Sequence, residues 1–210
     1  VFNANYKRTL MLVEKIKIEF NAKIRWSARV RINNLHFELL KLMKDSGCHL
    51  LQLGIESGSD ECLEKIGKNI TVEQITKVVR DCAKLKIQTM EYFMIGLPCE
   101  TTKRQIMNNI KFSLSLKCDY IFFGVFTPYP YSEYFDEGVK KNICSYTKWR
   151  DYVINPDKNF NIEVWTEYFS KDELFDLLRY AYLKFYLKPR NILKVLGSIK
   201  NIRDLFRLFR

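Results

Sequence analysis

Apolar residues along this chain fall into two spacings. Two short runs, Leu50 to Ile55 and Met90 to Ile95, stop abruptly at Glu56-Ser57-Gly58-Ser59 and at Gly96-Leu97-Pro98-Cys99-Glu100. Both runs are too short for helices and end in turn residues, so each predicts a buried strand. Between them, Thr71-Val72-Glu73-Gln74 has the form of a capping box, and Ile75, Val78, Val79, Cys82 and Ala83 recur on one helical face. Strand, helix and strand at this spacing predict a right-handed parallel unit. Both strands carry their polar and small residues at the C-terminal end, which is the ligand end of parallel α/β folds.

The pattern continues on either side. Asn5 to Phe20 predicts a helix with Leu10, Val13, Ile16 and Phe20 on one side, and Lys23 to Val30 predicts a strand. Asn33 or Asn34 is the expected cap of a helix carrying Leu35, Leu39, Leu42 and Met43, closed by Gly47. A second capping box, Thr102 to Gln105, opens a helix with Ile106, Ile110 and Leu114 inward. Tyr120 to Phe126 then forms a β-prone run stopped by Thr127-Pro128-Tyr129-Pro130. Residues 131 to 169 read as irregular. A third capping box, Ser170 to Glu173, opens the most regular helix in the chain, with Leu174, Leu177, Leu178, Ala181, Tyr182 and Phe185 on one face. Two short amphipathic helices follow Pro189, the last carrying Ile202, Leu205, Phe206 and Phe209. The expectation is an α/β chain: residues 1–135 as four or so βα units of a partial TIM-like barrel, and residues 136–210 as an irregular segment plus C-terminal helices.

Composition narrows this picture. At 210 residues the chain is short for a complete barrel, which takes about 250. No apolar run approaches the roughly 20 residues that cross a bilayer, and a cytoplasmic protein is expected. The start, Val1-Phe2-Asn3-Ala4-Asn5, has no initiator Met and predicts a fragment whose sheet, lacking its first strands, exposes an unpaired edge. The net charge of +11 allows contact with RNA or an anionic membrane surface, and the basic residues after Lys188 could serve it. Solvated basic faces on packed helices account for it better, and no specific nucleic-acid signature is present. The six cysteines have no CxxC pair and read as reduced, structural thiols, while His36 and His49 lack partners at metal-ligand spacing.

Three strand ends should meet: Glu56-Ser57-Gly58, Gly96-Leu97-Pro98 and Thr127-Pro128-Tyr129-Pro130, with Arg29 or Arg31 joining from the first strand. A carboxylate such as Glu56 accepts hydrogen bonds from a ribose diol or an amine. Backbone beside Gly96 and Pro128 can line an adenine ring, and an arginine can pair with a carboxylate. Taken singly, each admits a plain structural reading: a helix cap, a tight turn, a strand stop. Their recurrence at equivalent positions favours a ligand site. No nucleophile, base and orienting group come together, so the chemistry is expected from a cofactor rather than from side chains.

At these residues the chain resembles the radical S-adenosylmethionine (SAM) superfamily, in the branch that often carries an N-terminal cobalamin-binding domain and includes the anaerobic magnesium-protoporphyrin ester cyclase type. The matching text is LKLMKDSGCHLLQLGIESGSDECLEKIGKNITVEQI, FMIGLPCET and FTPYPYSEYF, with Phe2, Asn5 and Arg8 resembling the end of an acidic–Phe–Asn–Arg segment. The resemblance implies a partial (β/α)6 barrel that holds SAM against a [4Fe-4S] cluster and acts on a small-molecule substrate. It implies Glu56 and Ser57 at the ribose or amino-acid part of SAM, Ile95, Gly96, Thr127 and Pro128 along the adenine, and Arg31 at the methionine carboxylate. The cluster-binding CxxxCxxC loop is absent here, so cluster and cobalamin would be held by an upstream part of the same polypeptide. Where the branch has Pro-Tyr-Pro-Gly-Thr, this chain has Pro128-Tyr129-Pro130-Tyr131-Ser132. A non-catalytic half-barrel remnant that only binds is the alternative.

Overall fold

The computed structural model describes residues 1–21, 23–158 and 160–198. Its centre is a parallel sheet of β1 (Trp26–Val30), β2 (Cys48–Glu56), β3 (Gln88–Ile95) and β4 (Tyr120–Val125), in the order β1-β2-β3-β4. Helices α1 (Tyr6–Phe20), α2 (Phe37–Asp45), α3 (Asp60–Lys65), α4 (Val72–Lys84) and α5 (Lys103–Ser115) alternate with the strands. Four more follow: α6 (Glu133–Lys140), α7 (Tyr146–Ile154), α8 (Lys171–Tyr186) and α9 (Pro189–Ser198). This is the βα succession of a partial barrel.

Alternation along the strands decides which face is covered. Leu51, Leu53, Ile55, Phe93, Ile95, Ile121 and Phe123 point to one face and are buried under α2, α4, α5 and α8. The intervening residues, including Arg29, Gln52, Gly54, Tyr92 and Phe122, point to the other face and are half-buried or exposed. All three capping boxes form, at Thr71–Gln74, Thr102–Gln105 and Ser170–Glu173.

Several expectations are corrected. The cap of α2 is His36 without a side-chain bond, because Ile32–Asn34 form a 3-10 turn that uses both asparagines before the helix begins. Ala83 is exposed, since eight positions of helix drift carry it off the buried face of α4. Of the apolar face proposed for α1, only Val13 is fully buried. Residues 131–169 hold two helices, α6 and α7, both capped by serines (Ser132 and Ser145). Cys62 and Cys99 form a disulfide, while Cys48, Cys82, Cys118 and Cys144 are free and buried. The helix expected over Ile202 to Phe209, and the basic residues Lys200, Arg203, Arg207 and Arg210, lie outside the described residues.

The bare edge anticipated for the sheet is largely dressed. Along β1, Phe2 N donates to Arg29 O (3.0 Å), and Asn3 both accepts from Arg31 N and donates to Arg31 O, each at 2.7 Å. Along β4, the Tyr182 hydroxyl on α8 accepts from Phe123 N (3.0 Å) and donates to Phe123 O (2.9 Å). Tyr186 donates to Ile121 O (3.2 Å). Side chains thus stand in for missing ladder partners, which is one way edges escape pairing with other chains. No helix among the described residues is long and apolar enough to cross a membrane.

Candidate functional site

The C-terminal ends of the strands converge as anticipated, and a buried hydrogen-bond chain locks two of them together. Asn109, on the inward face of α5, accepts from Gly58 N (2.9 Å) in the loop after β2. Its amide nitrogen donates to Met94 O and to Glu100 Oε1, each at 2.9 Å. Glu100 in turn accepts from Gly96 N (2.9 Å) and Leu97 N (3.1 Å) through Oε2. One side chain on α5 therefore fixes the Glu56-Ser57-Gly58 loop relative to the Gly96-Leu97 loop. The Cys62–Cys99 disulfide joins the same two segments a few residues further on. Burial pushes the Glu100 carboxyl up to about 7, against the downward pull of the hydrogen bonds from Asn109, Leu97 and Gly96.

Each strand end has its own local geometry. In β2 the pairing with β3 slips between Gly54 and Glu56, so Ile55 is an extra residue and Glu56 sits at φ 73°. Such a bulge re-aims the side chain that follows it. Glu56 turns toward the open face, where Lys68 Nζ reaches Oε1 at 2.8 Å. Gly96 has φ 75°, a conformation that favours glycine, and a Cβ there would stand 2.6 Å from Leu174 Cδ2 on α8, so a larger residue would push that side chain aside. Beyond β4, Phe126 N donates to Ile95 O (2.8 Å) and Trp165 N to Phe126 O (3.1 Å), which carries the sheet-like pairing up to Thr127. Tyr131, where the resemblance led us to expect glycine, keeps the left-handed conformation at φ 68° and is almost wholly exposed.

The anticipated residues are not equally available. Glu56 keeps 15% of its side-chain exposure. Arg31 is exposed and lines a cleft of about 220 Å³ with Asn33, Gly54, Lys68 and Asn69. Ser57 is fully buried and its hydroxyl accepts from Ser59 N (3.2 Å), so only its backbone can face a ligand. The Ile95 side chain is buried in the helical layer. Thr127 is half-buried beside a second cleft with Phe160 and Phe175, and its hydroxyl donates to Val125 O (3.2 Å); Pro128 is buried. Arg29, the other candidate from β1, lies over the Tyr92 ring at 5.4 Å and has no carboxylate partner among the described residues.

Sequence reasoning missed Asn109 and Lys68, and it saw Glu100 only as part of the turn after the second strand. Asn109 had a signal: it shares the apolar stripe with Ile106, Ile110 and Ser113, and a polar residue there needs a partner. Lys68 had a weaker one, its place beside Gly67 in a short interhelical loop.

The sheet has a further buried acid on its covered face. Glu91 is fully buried and neither oxygen has a well-formed partner, although the Cys118 thiol and Thr89 lie next to it. Burial pushes its carboxyl up to about 7. Burial likewise pushes the Cys48 and Cys82 thiols up to about 12 and raises Cys118 further, so these are inert, protonated thiols. Among the described residues no three His, Cys, Asp or Glu side chains are grouped to hold a metal ion.

Comparison with known proteins gives a consistent picture. The family model described as the radical SAM superfamily matches residues 3–110. An uncharacterised methyltransferase of Pyrococcus horikoshii is 34% identical over 99% of this chain and 45% of its own length. The anaerobic magnesium-protoporphyrin IX monomethyl ester cyclase of Rubrivivax gelatinosus is 23% identical over 77% of this chain and 28% of its own length. Among solved structures, the radical SAM methyltransferase TsrM of Kitasatospora setae, with cobalamin and a [4Fe-4S] cluster bound, aligns with TM-score 0.60 at 20% identity. That alignment covers 69% of this chain and 28% of TsrM. The chain thus spans less than half the length of these relatives.

Proposed function

Because the chain belongs to the radical SAM superfamily, we propose that it is the SAM-binding part of a radical SAM enzyme, with the cofactor lying across the ends of β1 to β4. Membership implies SAM and a [4Fe-4S] cluster as cofactors. When both are bound, they supply reductive cleavage of SAM to methionine and a 5′-deoxyadenosyl radical that takes hydrogen from the substrate. The described residues fit SAM: they offer one aimed carboxylate, one cationic cleft and two clamped backbone loops. They do not fit the cluster, whose ligands we place outside them, in the upstream part of the polypeptide. Glu56 receives the ribose diol, Arg31 the methionine carboxylate, and the backbone of Ser57, Ile95, Gly96, Thr127 and Pro128 the remaining edges of the nucleoside.

The observation that carries this reading is the Gly58–Asn109–Glu100–Gly96 chain. Aligning two ligand loops through one buried asparagine fixes their spacing before a ligand arrives, which lowers the ordering cost of binding. The substrate we propose is a small, flat molecule bearing an anionic group. On the open face, Arg29, Tyr92 and Phe122 form an aromatic and cationic surface, with Tyr92 and Phe122 centroids 5.4 Å apart and Tyr92 Oη donating to Gln52 Oε1 at 3.0 Å. Barrel interiors that are only packed core carry Val, Ile and Leu at such positions. The curated relatives include an enzyme named for magnesium-protoporphyrin IX monomethyl ester, which is flat and conjugated.

Titration calorimetry with SAM tests the proposal. Glu56→Gln is expected to weaken binding about 10- to 100-fold, the loss of hydrogen bonds to a charged acceptor. Undiminished affinity in that variant would sink the assignment of the ribose site.

A further inference from the structure

The disulfide between Cys62 and Cys99 spans 37 residues of chain, and its Cα atoms stand 5.6 Å apart, within the reach of two cysteine side chains. Cys62 lies on α3, which opens at Ser59 directly after the Glu56-Ser57-Gly58 loop, and Cys62 N donates to the Ser59 hydroxyl (3.4 Å). Cys99 lies in the turn after β3, where Glu100 N donates to Leu97 O (2.8 Å). The bond therefore joins the two loops proposed to border the cofactor. It does so one residue from Glu100, whose carboxylate holds Gly96 N and Leu97 N.

Three features set this bond apart from a structural staple. The two cysteines pack with Leu97, Phe126 and Trp165 in a small cluster separate from the main core. A reduced cysteine packs as a small apolar side chain, so that cluster keeps its contacts whether or not the bond is made. The other four cysteines are free and buried, and burial pushes their thiols up into the inert, protonated range. Two-electron exchange is thereby confined to one pair. Finally, the loops have a second tie, Asn109, made of hydrogen bonds alone. Opening the disulfide takes them from two holds to one without dismantling the fold.

We propose that Cys62 and Cys99 form a dithiol–disulfide exchange site that sets how firmly the two cofactor loops are tied together. Its redox partner is a dithiol. One thiolate of the dithiol attacks one sulfur of the bond, forming a mixed disulfide and releasing the other cysteine as a thiolate, which takes up a proton. The second thiol of the dithiol then displaces the remaining cysteine, which is protonated in turn. Two electrons and two protons pass to the protein, and the dithiol leaves as its own disulfide. Both cysteines are buried, so the exchange runs through brief opening of the turn that carries Cys99. The oxidised pair pins the loops, and the reduced pair leaves them to Asn109. The consequence for cofactor affinity rests on the reading of these loops as the SAM site, whereas the exchange itself does not.

The test equilibrates the 210-residue chain in buffers of reduced and oxidised dithiothreitol, then quenches in acid, unfolds it and labels its thiols. Mass spectrometry should find four labels in oxidising buffer, one for each free cysteine, and six in reducing buffer, in one reversible step. Hydrogen exchange at the amides of residues 57–62 and 96–100 should quicken on reduction, while the amides of β2 and β3 keep their protection. Calorimetry should find SAM bound about 3- to 10-fold more weakly by the reduced chain. Cys62→Ala and Cys99→Ala together should give the reduced affinity in every buffer. Asn109→Ala should cost more affinity in the reduced chain than in the oxidised one, because each tie covers for the other.

Six labels in every buffer would mean that the bond does not form, and four in every buffer that it is a permanent staple; either result overturns the proposal. A reversible step that leaves both loop exchange and SAM affinity unchanged overturns it as well, since the bond would then hold nothing that matters to the site. If the step and the loop exchange appear but neither form binds SAM, the cofactor reading fails and the redox tie between the loops stands. The redox titration needs no substitution, so a variant that fails to fold does not shield the proposal.

Discussion

The two faces of the sheet are written in alternate residues of the same strands, and they obey different rules. On the covered face, Leu51, Leu53, Ile55, Phe93, Ile95 and Ile121 pack against helices with almost no exposure. One or two positions away, Arg29, Gln52, Gly54, Tyr92 and Phe122 remain half-buried or open. The covered face excludes water and holds the fold, while the open face keeps polar groups and empty space. Backbone hydrogen bonding is the same for both. The difference therefore lies in side chains alone, and substitutions on either face should separate stability from recognition.

The sharpest way to break the comparison is a matched pair of truncations, read by urea denaturation. Phe93→Ala on the covered face is expected to cost about 3–5 kcal/mol, by lost burial plus a cavity. Phe122→Ala on the open face, where the ring is 46% exposed, should cost about 1 kcal/mol or less. Similar losses at both sites would mean that the open face is as much a core as the covered one.

The covered face contains its own exception in Glu91, and pH exposes it. Burial pushes its carboxyl up to about 7 from an ordinary value of about 4.5, so the native state holds a proton that the unfolded chain releases. Stability from this group is complete below about 4.5 and is lost as pH rises to about 7. The slope is about 1.4 kcal/mol per pH unit, and the whole loss is of order 3 kcal/mol. Glu100 shifts in the same direction and adds a second fall. Glu91→Gln should remove about half of the combined decline. Equal pH slopes in the variant and the wild type would show that Glu91 is solvated and the covered face is leaky at that point.

Asn109→Ala reaches the junction between the faces. It strands Gly58 N, Met94 O and one Glu100 oxygen, at a cost of about 1–3 kcal/mol. SAM affinity should fall with it, because the two loops lose their common anchor. A stable variant with unchanged affinity would show that the loops are aligned by something else. The smallest effect is expected at Tyr131→Gly. Relieving a left-handed tyrosine should raise stability by about 1 kcal/mol, seen as a higher melting midpoint. A drop would mean that the exposed ring has a partner that the fold alone does not reveal.

Much of this fold was legible from local rules. Strands ended where turn residues said, and all three capping boxes formed, because their determinants lie within four residues of one another. The helices α6 and α7 were missed since their caps, Ser132 and Ser145, have Phe135 and Lys148 three residues later instead of the Glu or Gln that completes a box. The site was legible to the level of which loops meet. It was not legible to the level of which atoms are exposed: Ser57, placed at the ribose or amino-acid part of the cofactor, is fully buried and its hydroxyl accepts from Ser59 N. The Asn109 chain joins residues 51 positions apart, and the Lys68–Glu56 pair depends on a bulge that no periodicity announces. Long-range partners of this kind are set by tertiary geometry rather than by spacing.

The tyrosine seal on β4 decides what that edge of the sheet can accept. A strand whose amide and carbonyl groups are already satisfied by Tyr182 and Tyr186 offers no template for a neighbour, and adding one would first have to evict both hydroxyls. Within the described residues the four strands therefore form an open sheet whose β4 edge is closed to a further strand.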